Sequence, residues 1–201
     1  MRRLRVALLS VVLFSLPVLA QANKAELFGG YSLEMIAPGC GSNYTCGGID
    51  DLGAFSSLNG WTAAGTVYVY KSLGLSAQIS GNYKSISPSF VSVHRFAYQF
   101  GPVYTFRFRH VSTFTHVLFG GVRQTGVPPG SSFNASLDYT KFMWSVGGGL
   151  DLGLSKRLSI RAIQIDYEGQ QVPVNGFGTS TSSPTAYSSG LRYSTGLVLR
   201  F

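Results

Sequence analysis

Along residues 187–201 apolar and polar positions alternate with a period of two. Tyr187, Ser189, Leu191, Tyr193, Thr195, Leu197, Leu199 and Phe201 fall on one face of an extended chain, and Gly190, Arg192, Ser194, Gly196, Val198 and Arg200 on the other. One face is greasy and aromatic, the other small or charged. The same alternation recurs upstream. Leu73, Leu75, Ala77, Ile79 and Tyr83 oppose Gly74, Ser76, Gln78, Ser80 and Asn82. Phe96, Tyr98, Phe100, Tyr104 and Phe106 oppose Arg95, Gln99 and Thr105, an aromatic row too continuous for a surface in water.

This periodicity predicts strands over 25–35, 58–70, 73–83, 92–106, 113–124, 139–152, 158–168 and 187–201. In strand one Glu26, Phe28, Gly30, Ser32 and Glu34 share the inner face; Trp61, Ala63, Val67 and Val69 mark the outer face of strand two. Lys141, Met143, Ser145, Gly147, Gly149 and Asp151 oppose Phe142, Trp144, Val146, Leu150 and Leu152, and Gln164, Asp166 and Glu168 oppose Ile163, Ile165 and Tyr167. Both faces of 113–124 carry apolar residues, so its inner side stays unassigned. Pro102 removes a ladder donor and is expected to mark a bulge. The run Gly147-Gly148-Gly149 lies mid-strand with no Lys-Ser/Thr and no helix after it, which fits a tight barrel bend better than a phosphate loop.

Connections near 71, 109 and 156 are short, whereas those near 36–57, 84–91, 125–138 and 169–186 are mostly longer and rich in Gly, Ser, Pro and Asn. Apolar-out, polar-in strands with such unequal ends form a transmembrane β-barrel, with short turns in the periplasm and long loops outside. The fold expected is all-β: an eight-stranded antiparallel up-and-down barrel with both termini at the periplasmic end. After the first 22 residues no apolar run is long enough for a spanning helix, so closure alone can pair every backbone group in hydrocarbon.

Targeting and charge refine this picture. Residues 1–22 read as a secretory signal peptide: basic Arg2, Arg3 and Arg5, an apolar middle, and Ala20-Gln21-Ala22 for cleavage. The barrel domain then spans 23–201, 201 − 22 = 179 residues, and loss of three arginines lowers the net charge from +8 to +5. Those charges are dispersed, without the concentrated footprint of a nucleic-acid binder. Cys40 and Cys46 share one predicted loop of an exported chain, which favours a disulfide over free thiols or a metal pair.

The whole predicted mature chain, with its eight alternating strands and terminal Phe201 preceded by Leu199, Leu197 and Tyr193, resembles the OmpA-like family of small outer-membrane β-barrels. It is closest to the single-domain proteins of the outer-membrane β-barrel domain type, which carry a porin-family label. The resemblance implies residence in the outer membrane among lipids including lipopolysaccharide, as a monomer. It further implies that Tyr193, Leu197, Leu199 and Phe201 form the signal read by the outer-membrane assembly machinery. The peptidoglycan-binding domain of longer relatives is not expected, since nothing follows Phe201.

Some barrels of this kind are lipid A deacylases carrying a His-x-Ser pair, here matched by His110 and Ser112. The strand count puts both in a periplasmic turn, away from that substrate, so neither catalysis nor a cofactor is expected. His94 and His116 lack ligand-spaced carboxylates and read as interfacial or structural.

Charges on the inner faces carry the functional expectation. Glu34, Asp166 and Glu168 should lie in the outer half with Arg95, Lys141 and Arg192, and Glu26, Asp151 and Arg200 toward the periplasm. Strands one, seven and eight are neighbours after closure, so Arg192 falls between Asp166 or Glu168 and Glu34, and Arg200 faces Glu26. An eight-stranded lumen is just wide enough for side chains to fill, and opposite charges inside it should pair and plug it. The alternatives are a narrow porin-like channel and, behind it, a lipid A-modifying hydrolase.

Overall fold

Alternation over whole segments, not any single residue, decides the architecture. The computed structural model describes residues 25–36, 56–86, 91–126, 137–173 and 185–201. They form eight strands: β1 Ala25–Ile36, β2 Ser56–Tyr70, β3 Leu73–Ile86, β4 Val91–Arg107, β5 Val111–Gly126, β6 Leu137–Gly153, β7 Leu158–Pro173 and β8 Thr185–Arg200. Each pairs antiparallel with its sequence neighbours, and β1 pairs with β8 from Glu26↔Arg200 to Ile36↔Gly190, which closes the barrel. Phe201 N donates to Ala25 O (2.9 Å), so the first and last described residues lie together at the end that carries the short turns.

Closure leaves each strand residue only two environments. Phe96, Tyr98, Phe100, Tyr104, Leu197 and Leu199 are exposed on the outside, while Arg95, Gln99, Thr105, Arg192 and Ser194 are buried within. Such an inside-out distribution suits hydrocarbon as the outer solvent. The unassigned strand resolves in the same way: Ser112, Phe114, His116, Leu118, Val122 and Gln124 face the lumen. Ala97, Val122 and Met143 meet there as an apolar cluster.

Three outward aromatics lie over glycines directly opposite on the next strand: Trp61 on Gly81, Tyr98 on Gly121 and Trp144 on Gly169. A Cβ at any of the three glycines would meet the ring, so each glycine is a seat for its aromatic and the pairs lock adjacent strands. This corrects one boundary. Gly169 reads in sequence as the start of a loop, yet β7 continues to Pro173, because the glycine serves the ladder.

Pro102 is a second correction. The β3–β4 register runs through it unchanged from Leu73↔Tyr104 to Ile86↔Val91, so it marks no bulge. On the β5 side the ladder skips Gly101 and Pro102 and resumes in the same register at Val103↔His116. The exposed ring costs that ladder a donor without adding a residue. The bulge with consequences lies on β7: registers with β6 and with β8 both shift by one residue between Arg161 and Gln164.

Phe100 lies midway along β4 and is 69 % exposed. Phe100→Arg is expected to destabilise the folded barrel by about 2–4 kcal/mol, read from denaturant unfolding in lipid vesicles. An unchanged midpoint would show that this face is not solvated by hydrocarbon.

Candidate functional site

The lumen gathers the charged chemistry of the chain. Of its eight acidic residues, the five with described side chains, Glu26, Glu34, Asp151, Asp166 and Glu168, all point inward and are buried. Five arginines meet them: Arg95, Arg107, Arg161, Arg192 and Arg200. A carboxylate in so narrow an interior has little water, and its cost is met only by charged donors at hydrogen-bonding distance.

In the outer half Arg192 is the hub. Its register places it opposite Glu34 on β1 and Asp166 on β7. Its guanidinium lies 2.9 Å from Asp166 Oδ2 and 2.8 Å from Glu168 Oε1, and donates to Ser80 Oγ on β3 at 3.2 Å. Glu34, its other cross-strand neighbour, is held instead by Arg95 at 2.9 Å, which also approaches Glu168 at 3.7 Å. Arg95 belongs to β4 and its partners to β1 and β7, so these contacts cross the lumen.

Asp166 accepts from three directions. Besides Arg192, Gln164 Nε2 donates to Oδ2 at 2.8 Å and His116 Nε2 lies 2.9 Å from Oδ1. Room for that carboxylate comes from Gly147 on β6, where a Cβ would collide with it. The glycine run thus admits a lumen side chain. Gln164 also reaches Gln78 on β3 (3.4 Å) and accepts from Arg161 (2.8 Å), which links the outer group to the inner one.

Toward the end that carries the short turns Arg161 makes a two-pronged contact with Asp151: Nε to Oδ1 at 2.8 Å and an NH2 to Oδ2 at 3.2 Å. Its guanidinium is sandwiched between the rings of Phe28 (4.2 Å) and Phe114 (4.0 Å), a cation–π stack in a desolvated setting. Arg200 bridges Glu26 (3.2 Å) and Asp151 (3.7 Å) and donates to Ser112 Oγ (3.2 Å). Arg107 approaches Glu26 at 3.4 Å and stacks on Tyr68, whose hydroxyl donates to Glu26 at 2.9 Å. One chain of ion pairs and hydrogen bonds therefore runs from Glu26 through Arg200, Asp151, Arg161, Gln164, Asp166, Arg192, Glu168 and Arg95 to Glu34. A void beside it, bounded by Tyr68, Gln78, Phe114, His116 and Arg161 among others, holds about 10 Å³, near the minimum for one water.

Three members of this network escape a strict reading by alternation. Arg161 has the outward parity of Ile163 and Ile165 and turns inward only because the bulge adds a residue; the signal is the shift of polar residues from Ser159 and Arg161 to Gln164, Asp166 and Glu168. His116 sits on the strand that is apolar on both faces. Arg107 reads as a turn residue but ends β4 and reaches into the mouth. Lys141, conversely, is half-buried on β6 and makes no ion pair with Glu34 or Glu168.

The other candidates separate. Leu197, Leu199 and Phe201 are exposed on the outer face, and the half-exposed Tyr193 donates to Ala162 O at 3.4 Å. His110 is exposed in the 108–110 turn, and Ser112 faces the lumen under Arg200. Cys40, Cys46 and residues 1–22 lie outside the described residues. Among the described residues no three His, Cys, Asp or Glu side chains are grouped to hold a metal.

This fold and charge arrangement define a membrane-spanning β-barrel with a polar, cross-braced interior. No protein-family model and no curated protein matches the sequence. Solved structures do match in fold. Ail, the attachment invasion locus protein of Yersinia pestis, superposes with a TM-score of 0.52 at 14% identity, over 89% of this chain and 99% of that one. Neisserial surface protein A gives 0.55 at 10% identity, over 88% and 97%. The outer membrane protein OprG from Pseudomonas aeruginosa gives 0.52 at 10% identity, over 89% and 96%.

Removing one partner of a buried pair strands the other. Asp151→Ala is expected to destabilise the barrel by roughly 3–5 kcal/mol, and adding Arg161→Met to recover part of the loss. A double-mutant cycle on the unfolding midpoints measures the coupling, and strictly additive effects would show that the two side chains do not support each other.

Proposed function

We propose that this chain is an integral outer-membrane barrel of the OmpA-like kind, whose closed lumen makes it a scaffold for the connections joining β1 to β2, β3 to β4, β5 to β6 and β7 to β8. The observation that carries this reading is the chain of ion pairs and hydrogen bonds from Glu26 to Glu34, in which Arg95–Glu34, Arg95–Glu168 and Arg200–Asp151 span the lumen between non-adjacent strands. A passage for solutes needs a continuous wet path, and side chains that touch across so narrow a barrel work against one. The relatives in fold support the setting. OprG is described as an outer membrane protein and the Neisserial protein as a surface protein, and Ail, the attachment invasion locus protein, has been solved with the heparin analogue sucrose octasulfate, which supports a barrel of this shape as an interaction scaffold. In this reading the protein is a monomer among outer-membrane lipids including lipopolysaccharide. The assembly machinery engages Tyr193, Leu197, Leu199 and Phe201 on β8.

The second reading is a narrow channel. It draws on Gln99 and Ser145, whose buried polar side-chain atoms have no hydrogen-bond partner in the protein and would be satisfied by a file of water. A lipid A-modifying hydrolase has less support: Ser112 Oγ is engaged by Arg200, and His110 sits at the end with the short turns.

Planar-bilayer conductance tests the scaffold reading. Wild type is expected to be silent and to leak after Arg192→Ala or Glu168→Ala. A stable wild-type conductance, unchanged by either substitution, would favour the channel. For assembly, deletion of Phe201 is expected to lower membrane insertion while secretion continues, scored by fractionation and heat-modifiable mobility on gels; undiminished insertion would remove that role from β8.

A further inference from the structure

At the end that carries the short turns the lumen opens into a cavity of about 480 Å³, whose charged lining is Arg107, Lys156, Arg157 and Arg200 against the single carboxylate of Glu26. That carboxylate is already committed, since Arg200, Arg107 and the Tyr68 hydroxyl all lie within 3.4 Å of it. Four cations less one carboxylate leave a formal +3 around the opening. A main-chain carboxylate counted at Phe201 would still leave it cationic. The other described acids lie deeper in the lumen, so Glu26 is the one described acid that lines this mouth.

The turn that carries Lys156 and Arg157, both exposed, is held in place through its backbone. Ser155 Oγ accepts from the backbone N of Arg157 (3.3 Å) and of Leu158 (3.1 Å), and Arg200 N donates to Arg157 O (2.8 Å), which fixes the 154–157 turn against β8. Lys156 and Arg157 thus line the cavity from a turn whose backbone is already ordered, which lowers the cost of binding there. A multivalent excess of charge, with guanidinium forks beside an ammonium, matches phosphoryl oxygens.

We propose that this mouth is a binding site for a phosphorylated anion, supplied either by a lipid headgroup of the surrounding leaflet or by a soluble phosphate compound. The site stands whether or not the lumen conducts. The test is calorimetric titration of the folded full-length protein with inorganic pyrophosphate, in phosphatidylcholine nanodiscs at fixed ionic strength. One saturable site is expected. Lys156→Gln/Arg157→Gln weakens it by at least about tenfold, while Lys71→Gln/Arg109→Gln, two cations of neighbouring turns that do not line the cavity, leaves it nearly unchanged. Absence of saturable binding, or equal weakening by both double variants, overturns the site. Gel mobility before and after heating confirms that each variant is folded. Repeating the titration in nanodiscs containing phosphatidylglycerol separates the sources: displacement of pyrophosphate assigns the site to a lipid headgroup, and undiminished binding to a soluble phosphate.

Discussion

An eight-stranded barrel in a bilayer offers a side chain only two places, hydrocarbon outside or a lumen too narrow for bulk water inside. Every charge along a strand therefore ends in the lumen or at a rim, and every charge in the lumen must find its opposite there. The rest of the structure follows from this. Asp166, between strands with no lipid-facing alternative, collects Arg192, Gln164 and His116 around one carboxylate. Gly147 is small because Asp166 needs the space, and β7 carries an extra residue where Arg161 must turn inward to meet Asp151.

All five cations in the network are arginines, and the physical reason lies in geometry. A guanidinium can bind two or three partners on different strands at once and tolerates stacking on an aromatic face, whereas an ammonium is a compact, strongly hydrated charge. Arg192 joins β8 to β7 and β3, and Arg161 joins β7 to β6 while lying between Phe28 and Phe114. The described lysines stand at rims and turns or, like Lys141, only half-buried, where water still reaches them.

Most of the wall was legible because lipid and lumen select residue types sharply. The strands, their order and the inner face of seven of them follow from alternation alone. What alternation could not supply is phase. One added residue in β7 moves Arg161 from the outer parity to the lumen, and no propensity marks the bulge. On β5 the lumen accepts Phe114, Leu118 and Val122 beside His116 and Gln124, and Val122 packs there with Ala97 and Met143 of the two neighbouring strands; packing between adjacent inner faces, not period, marks that side. Pro102 and Gly169 mislead for the opposite reason. Each is a common loop or bulge former, and here one faces outward at a gap in a single ladder while the other seats Trp144.

Burying the acids has a consequence beyond the lumen. Arginine and carboxylate cancel within the barrel, so the cations left over, Lys71, Arg109, Lys156 and Arg157, set the sign of the end that carries the short turns. The lumen network thereby governs two properties at once: it braces the wall across its width, and it keeps the described acids off the short turns. A mutation that places an acid in the 154–157 turn would leave every ion pair inside intact, yet it would reverse part of the field at the mouth. Stability and surface recognition at that end are therefore separable, because one depends on pairs shielded from salt and the other on exposed charges that salt screens.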